Sequence, residues 1–313
     1  MIALLCSGQG TQHREMFRLS GALPEASTIF AAAERVLGID PRAFVLAAAD
    51  ACLYANRAAQ ILCVTQALAA RALLMDVIPD RHIVAGYSVG EVAAWGVAGL
   101  LGAEQAISLA SVRADIMSRA SSADDGLASV RGLRYETVER LARETQTEIA
   151  IVNPNDTFVV GGSGGVLRNF CEAALAAGAL RAALLPVGVA SHTSRLAAAV
   201  APLRAAIAAH RPAHPSAGVL LLSALDGSAV SEPEAGADGL ARQISTRLQW
   251  STCLSAAVER GASLFVELGP GRALAEMARA AYPDVPARSL DDFRTPEGLL
   301  SWIGRSRHSP SVN

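Results

Sequence analysis

The spacing of apolar positions changes repeatedly along this chain. "MIALLC" opens as a continuous apolar run, short enough for a strand buried on both faces, and it breaks at Gly8-Gln9-Gly10. From about residue 25 to 77, Ala and Leu recur three and four apart, which is the helical period. "HIVAGYS" (82–88) is again a short β-rich run, and "GEVAAWGVAGLL" (90–101) and "AEQAISLASVRADIMSR" (103–119) return to helix. Near residue 121 the texture shifts, since "SSADDG" has the composition of a linker.

Six shorter elements follow. They read strand "LASVRGL", helix "YETVERLARET", strands "EIAIVN" and "TFVVGG", helix "GVLRNFCEAALAAG" and strand "ALRAALLPVGV". That βαββαβ order is the ferredoxin-like pattern, and "NPND" between the middle strands supplies the turn. A helix over 194–209, the strand "GVLLLSAL", a helix over about 234–260, the strand "SLFVELGPG" and the helix "RALAEMARAAY" then resume the first texture. Strands alternating with helices predict a mainly parallel sheet covered on both faces. The expected organisation is therefore a large α/β domain from 1–122 and 190–313, with a ferredoxin-like unit over 123–189 inserted in it. "RSRHSPSVN" reads as a loose tail.

Composition narrows the function classes. Of 313 residues, 51% are hydrophobic and 18% charged, which suits a well-filled core. A net charge of −2 offers no electrostatic case for nucleic acid or an anionic membrane. Every basic residue is Arg, so Schiff-base chemistry and a P-loop lysine are excluded. The cysteines at 6, 52, 63, 171 and 253 form no Cys-x-x-Cys pair, which fits neither a disulfide framework nor a zinc site and fits a reducing cytoplasm. No apolar run reaches the roughly 18 residues of a membrane span. The N-terminal stretch lacks the basic region of a signal peptide and reads as a buried first strand.

Candidate chemistry centres on Gly86-Tyr87-Ser88-Val89-Gly90. A strand before and a helix after are what a nucleophile elbow requires, with glycines where the turn leaves no room for side chains. The Val89 N–H, at the helix start, would then face an oxyanion beside Ser88. The plain alternative is a structural βα turn. A serine nucleophile needs a base. His82 lies on the same strand about 20 Å away, at about 3.3 Å per residue. His210 and His214 fall in a proline-containing loop and His308 in the tail, whereas His192 stands between a strand and a helix; His13, after the first turn, stays open. Asp115, Asp124, Asp125 and Asp156 lie between Ser88 and His192, and none follows a core strand, so a hydrolase triad is poorly supported and a Ser–His dyad fits better. Arg113 shares a helix face with Leu109, Ile116 and Met117. It either snorkels to water or, buried near Ser88, holds the carboxylate of an acyl group with its planar fork.

Taken together, "GQGTQ" (8–12), "GYSVGE" (86–91), "VRADIM" (112–117), "ASHT" (190–193), "QISTRLQW" (243–250) and "ELGPG" (267–271) resemble the malonyl-CoA:acyl-carrier-protein transacylase family, over essentially the whole chain. The resemblance implies an α/β-hydrolase-like core with a ferredoxin-like insertion. It implies that Ser88 is malonylated, that His192 is its base and that Arg113 binds the malonyl carboxylate. The Gln9 and Val89 N–H groups would form the oxyanion hole, and the Gln243 main-chain carbonyl would orient the histidine in place of an acid. The chemistry implied is ping-pong, with malonyl-CoA as donor, the phosphopantetheine-type thiol of an acyl carrier protein as acceptor, and no bound cofactor or metal. Tyr87 and Val89 stand where fatty-acid members usually carry His and Leu. With "NPNDTFVVGG" and "ARSLDDF", they look more like the epsilon subunit of bacterial malonate decarboxylase, a malonyltransferase that charges that complex's carrier subunit. A serine esterase or thioesterase would share Ser88 and His192 without a use for Arg113, and a non-catalytic scaffold that docks a carrier is the remaining class.

Overall fold

The computed structural model describes residues 1–308. In chain order the strands are β1 (Ile2–Cys6), β2 (His82–Gly86), β3 (Asp125–Arg131), β4 (Glu148–Asn153) and β5 (Thr157–Ser163). They continue with β6 (Arg181–Leu184), β7 (Val219–Leu222), β8 (Leu248–Gln249), β9 (Leu264–Glu267) and β10 (Ala287–Ser289). One sheet has the order β10-β9-β1-β2-β7, and all its pairings are parallel. Successive side chains of β1 point to opposite faces, so Ile2, Leu4 and Cys6 join one core while Ala3 and Leu5 join another. Both faces are covered, which is why the strand reads as an unbroken apolar run. The α/β class expected from the alternation is the class observed.

The second sheet has the order β6-β3-β5-β4-β8. Its first four strands are antiparallel neighbours, in the ferredoxin-like order that the βαββαβ pattern predicts. One face packs on its own helices through Val138, Phe158 and Phe170, and the other contributes Leu127, Ile151 and Val159 to a core shared with the parallel sheet.

Several expectations need correction. The helix over 234–260 is two helices, Pro233–Arg242 and Trp250–Glu259, separated by a 3-10 turn at Gln243–Ser245 and by β8. Leu248 and Gln249 pair with Ile151 and Val152 of β4, so bonding to a distant strand overrides the local helical period. The strand expected to run to Val189 ends at Leu184, because Pro186 has no N–H to continue a ladder. His192 consequently follows an irregular passage rather than a strand. The helical stretch from 25 is divided, first at Gly38, whose φ of 83° caps Ser27–Leu37. Asp40 then caps the next helix through the Arg42 N–H. The helix expected from 194 begins as a 3-10 segment, Ser194–Ala199, before Val200–Ala209. At the far end, residues 305–308 belong to the helix Pro296–His308, and the rest of the expected tail lies outside the described residues.

Close approach explains two glycines of the Ser88 turn. A Cβ on Gly86 would lie 2.1 Å from the Gly90 carbonyl oxygen, and one on Gly90 would lie 2.1 Å from that of Cys6. Both obstacles are backbone and neither can rotate away. Gly86→Ala is therefore expected to destabilise the fold by about 2–4 kcal/mol, read as a lower urea midpoint. An unchanged midpoint would mean that the strand and helix are not packed this closely.

Candidate active site

Ser88 occupies the turn between β2 and the helix Gly90–Val97 with φ of 56°, in the left-handed region that L-residues rarely adopt. The glycines on either side and the Tyr87 N–H bond to the Cys6 carbonyl hold that backbone in place. Such a turn lifts the side chain out of the sheet edge, as a nucleophile elbow does. At the helix start, the Val89 N–H donates to no protein acceptor among the described residues, and neither does the Gln9 N–H. Gln9 lines a cavity of about 70 Å³ together with Ser88, Met117 and His192.

His192 also has a left-handed backbone, φ 63°, and is 1% exposed. Its N–H donates to the Ile244 carbonyl at 2.7 Å. Its Nδ1 lies 2.7 Å from the Gln243 main-chain carbonyl and its Nε2 lies 2.8 Å from Ser88 Oγ. A carbonyl only accepts, so Nδ1 carries the proton and Nε2 is left as the acceptor for the serine hydroxyl. Burial, and then the positive charge of Arg113, push the imidazole down to about 3, with the Gln243 carbonyl opposing them. The ring is a neutral base throughout the physiological range, able to take a proton from Ser88. His13, the other open candidate, instead pairs with Asp291 at 2.7 Å. His82, at the start of β2, holds the Pro79 carbonyl through Nδ1.

Arg113 is buried rather than snorkelling. It is 1% exposed on the helix Ala103–Ala120. Its Nη1 donates to Gln60 Oε1 at 2.7 Å, and its Nη2 donates to Gln243 Oε1 at 3.2 Å and reaches Ser88 Oγ at 3.5 Å. No carboxylate lies within 4.0 Å of the guanidinium among the described residues, and its Nε has no partner. Burial lowers its pKa to about 10, against the opposing field of Glu91, so it remains a cation.

Ser88, His192, Arg113 and Gln243 thus meet at one point, although 155 positions separate the first from the last. Three neighbours have no assigned role in the sequence reading. Gln60 bridges Arg113 and Asn56, with its Nε2 2.8 Å from Asn56 Oδ1. Asn56 also lines the cavity. Glu91 accepts from Gln243 Nε2 at 2.6 Å. The signal available for Gln60 and Glu91 was the one that singled out Arg113, a polar residue on an otherwise apolar helix stripe. Among the described residues no group of three His, Cys, Asp or Glu side chains is arranged to hold a metal ion, and no helix is long and apolar enough to cross a membrane.

The arrangement can be set beside known proteins. The acyl transferase domain family matches residues 3–290. A malonyl CoA-acyl carrier protein transacylase from Mycobacterium bovis is 33% identical over 296 residues, spanning 93% of this chain and 96% of that protein. The structure of the malonyl CoA-acyl carrier protein transacylase from Coxiella burnetii superposes with a TM-score of 0.91 at 25% identity, over 98% of each chain. A malonyl-transacylase solved in complex with its type II polyketide-synthase acyl-carrier protein gives 0.89 at 25% identity, over 97% of this chain and 99% of that one. Because the domain matches nearly end to end and a transacylase relative aligns along almost its full length, this chain belongs to the malonyl-CoA:acyl-carrier-protein transacylase family of acyltransferases.

Proposed function

We propose that this enzyme moves a malonyl group from malonyl-CoA to the thiol of an acyl carrier protein through a malonyl ester on Ser88. The observation that carries this reading is Arg113, a buried cation 3.5 Å from Ser88 Oγ and without an ion-pair partner of its own among the described residues. An isolated buried charge is costly, and an anion brought by the substrate offsets that cost. Malonyl supplies one, since its free carboxylate is a single methylene from the reacting carbonyl. A guanidinium fork fixes that carboxylate in plane with two parallel hydrogen bonds.

Transfer then proceeds in two halves. Ser88 Oγ attacks the thioester carbonyl while His192 Nε2 takes its proton. The negative charge that develops on the carbonyl oxygen falls to the free N–H groups of Gln9 and Val89. The tetrahedral intermediate collapses, the C–S bond breaks, and His192 returns the proton to the departing CoA thiolate. In the second half the carrier's phosphopantetheine-type thiol gives its proton to His192 and attacks the malonyl ester. The C–O bond to Ser88 breaks and the serine recovers its proton. The Gln243 carbonyl on Nδ1 keeps the imidazole in the required tautomer, so the cycle needs no acidic third residue.

The names of the relatives, one of them solved with its carrier, support a carrier of the fatty-acid or polyketide type. Tyr87, Val89 and "ARSLDDF" are the residues that favour the malonate decarboxylase carrier subunit as acceptor. Offering each purified carrier to the malonylated enzyme separates the two by rate of discharge.

Intact-protein mass spectrometry with malonyl-CoA, and with acetyl-CoA in parallel, tests the core of the reading. A malonyl adduct should form on Ser88 and persist until a carrier thiol arrives. Steady release of free malonate without a carrier would indicate a hydrolase. Arg113→Ala is expected to slow malonylation about 100-fold or more, the scale of removing one partner from a buried charged contact, and acetylation far less. Equal losses with both donors would remove Arg113 from the carboxylate site.

A further inference from the structure

A buried carboxyl beside the nucleophile takes no part in those transfer steps. Glu91 stands three residues after Ser88, in the first turn of the helix Gly90–Val97, and is 1% exposed. Its Oε2 accepts from Gln243 Nε2 at 2.6 Å and from the Ala224 N–H at 3.2 Å, and the Ser223 side chain lies close to the carboxyl. Glu91 and Arg113 form no direct ion pair, because the Gln243 amide stands between them. The amide NH2 faces the carboxylate and the amide oxygen faces the guanidinium. Turned over, the amide would set oxygen against carboxylate and NH2 against guanidinium, so the two charges permit one orientation only.

The same glutamine reaches the dyad at two further points. Its Nε2 also donates to the Ser88 carbonyl at 3.2 Å, and its own main-chain carbonyl holds His192 Nδ1 at 2.7 Å. We propose that Glu91 is a positioning residue: it locks the Gln243 side chain, and through that residue it sets both the Arg113 guanidinium and the His192 ring against Ser88. This rests on reading Ser88 as the nucleophile and His192 as its base.

The charged and titratable groups around Glu91 make its ionisation separable from theirs. Arg113 faces it from the helix Ala103–Ala120, Cys253 from the helix Trp250–Glu259, and His192 lies beyond Gln243. Burial pushes Glu91 up to about 7, with the bonds from Gln243 and Ala224, the nearby Ser223 side chain and the charge of Arg113 pulling the other way. Burial raises the Cys253 thiol far above that range and drives His192 far below it, while Arg113 stays a cation. Glu91 is thus the member of this cluster that changes charge near neutral pH. A carboxylate accepts a hydrogen bond more strongly than a neutral carboxyl does, so the alignment tightens as pH rises through about 7.

The test is the rate at which an uncharged alkyl fluorophosphonate labels Ser88 across neutral pH, in wild type, Glu91→Gln and Glu91→Leu. The serine oxygen attacks phosphorus, fluoride leaves and His192 takes the proton, so labelling reads the dyad without malonyl recognition. Wild-type labelling should rise several-fold through neutrality. Glu91→Gln keeps the acceptor but cannot ionise, so its profile should be flat and close to the wild-type acidic rate. Glu91→Leu lacks the acceptor and should be slower than the glutamine variant by about tenfold at every pH, the scale of one lost buried hydrogen bond. A Glu91→Gln variant that follows wild type in rate and pH profile, or a Glu91→Leu variant labelled as fast as wild type, overturns the proposal. If Glu91→Leu does not fold, the glutamine profile decides alone, its flattening supporting the proposal and its identity with wild type ending it. Failure of wild type to accept malonyl while it still takes the fluorophosphonate would refute the malonyl reading and leave this test intact.

Discussion

Ser88→Ala is expected to yield a folded protein that accepts no malonyl group from malonyl-CoA. Alanine keeps the Cβ and loses only the hydroxyl, which meets His192 Nε2 at 2.8 Å and Arg113 Nη2 at 3.5 Å. The left-handed backbone at this position is held by the neighbouring glycines and by the Tyr87–Cys6 bond, and none of these depends on Oγ. Stability should therefore shift by less than about 1 kcal/mol, while transfer to a carrier falls by about 10⁴-fold or more, as when a nucleophile is removed outright. Intact mass after incubation with malonyl-CoA reads the first step directly. A malonyl adduct of normal yield on the variant would place the nucleophile elsewhere, and the buried Cys6 and Cys63 thiols, whose burial drives them towards the neutral form, are poor substitutes.

His192→Ala is the second large loss. The ring is enclosed and neutral, and it holds the one acceptor nitrogen within hydrogen-bonding distance of Ser88 Oγ among the described residues. Without it the hydroxyl must attack unaided, and the rate of adduct formation should fall about 10³–10⁴-fold. Added imidazole, able to enter the space left by the side chain, should restore part of that rate. A near-normal rate without imidazole would mean that another base serves Ser88.

The same substitution has a signature in stability. The folded imidazole is held at about 3 against an ordinary 6.5, so between those values the unfolded chain binds a proton that the folded chain excludes. Stability contributed by His192 is then present above about 6.5 and lost as the solution is acidified towards 3. The variant lacks that component, and its urea midpoint should fall less steeply with acid than that of wild type. Equal slopes would mean that the ring is not held neutral by its surroundings.

How much of this was legible beforehand differs from element to element. The alternation of apolar runs and helical periods determined the α/β class and the ferredoxin-like order, because the period of burial is set within a few residues of the chain. The Ser88 turn was equally readable, since the tight approach of Gly86 and Gly90 to other backbone leaves a mark in residue type. Arg113, Gln60 and Glu91 are anomalies of the same readable kind, polar groups on buried helix faces, but their spacing along the chain does not say which of them meet. Tertiary structure decided that. It also turned a stretch of helical period into a 3-10 turn and a two-residue strand, because Leu248 and Gln249 find partners in β4 that local propensity does not register. The acceptor on His192 Nδ1 is the clearest case, since only the family resemblance, and no property of the residue itself, pointed to Gln243. It is a main-chain carbonyl, which every residue possesses, so nothing in the side chain of Gln243 announces it, and only the folded path of the backbone brings it within 2.7 Å.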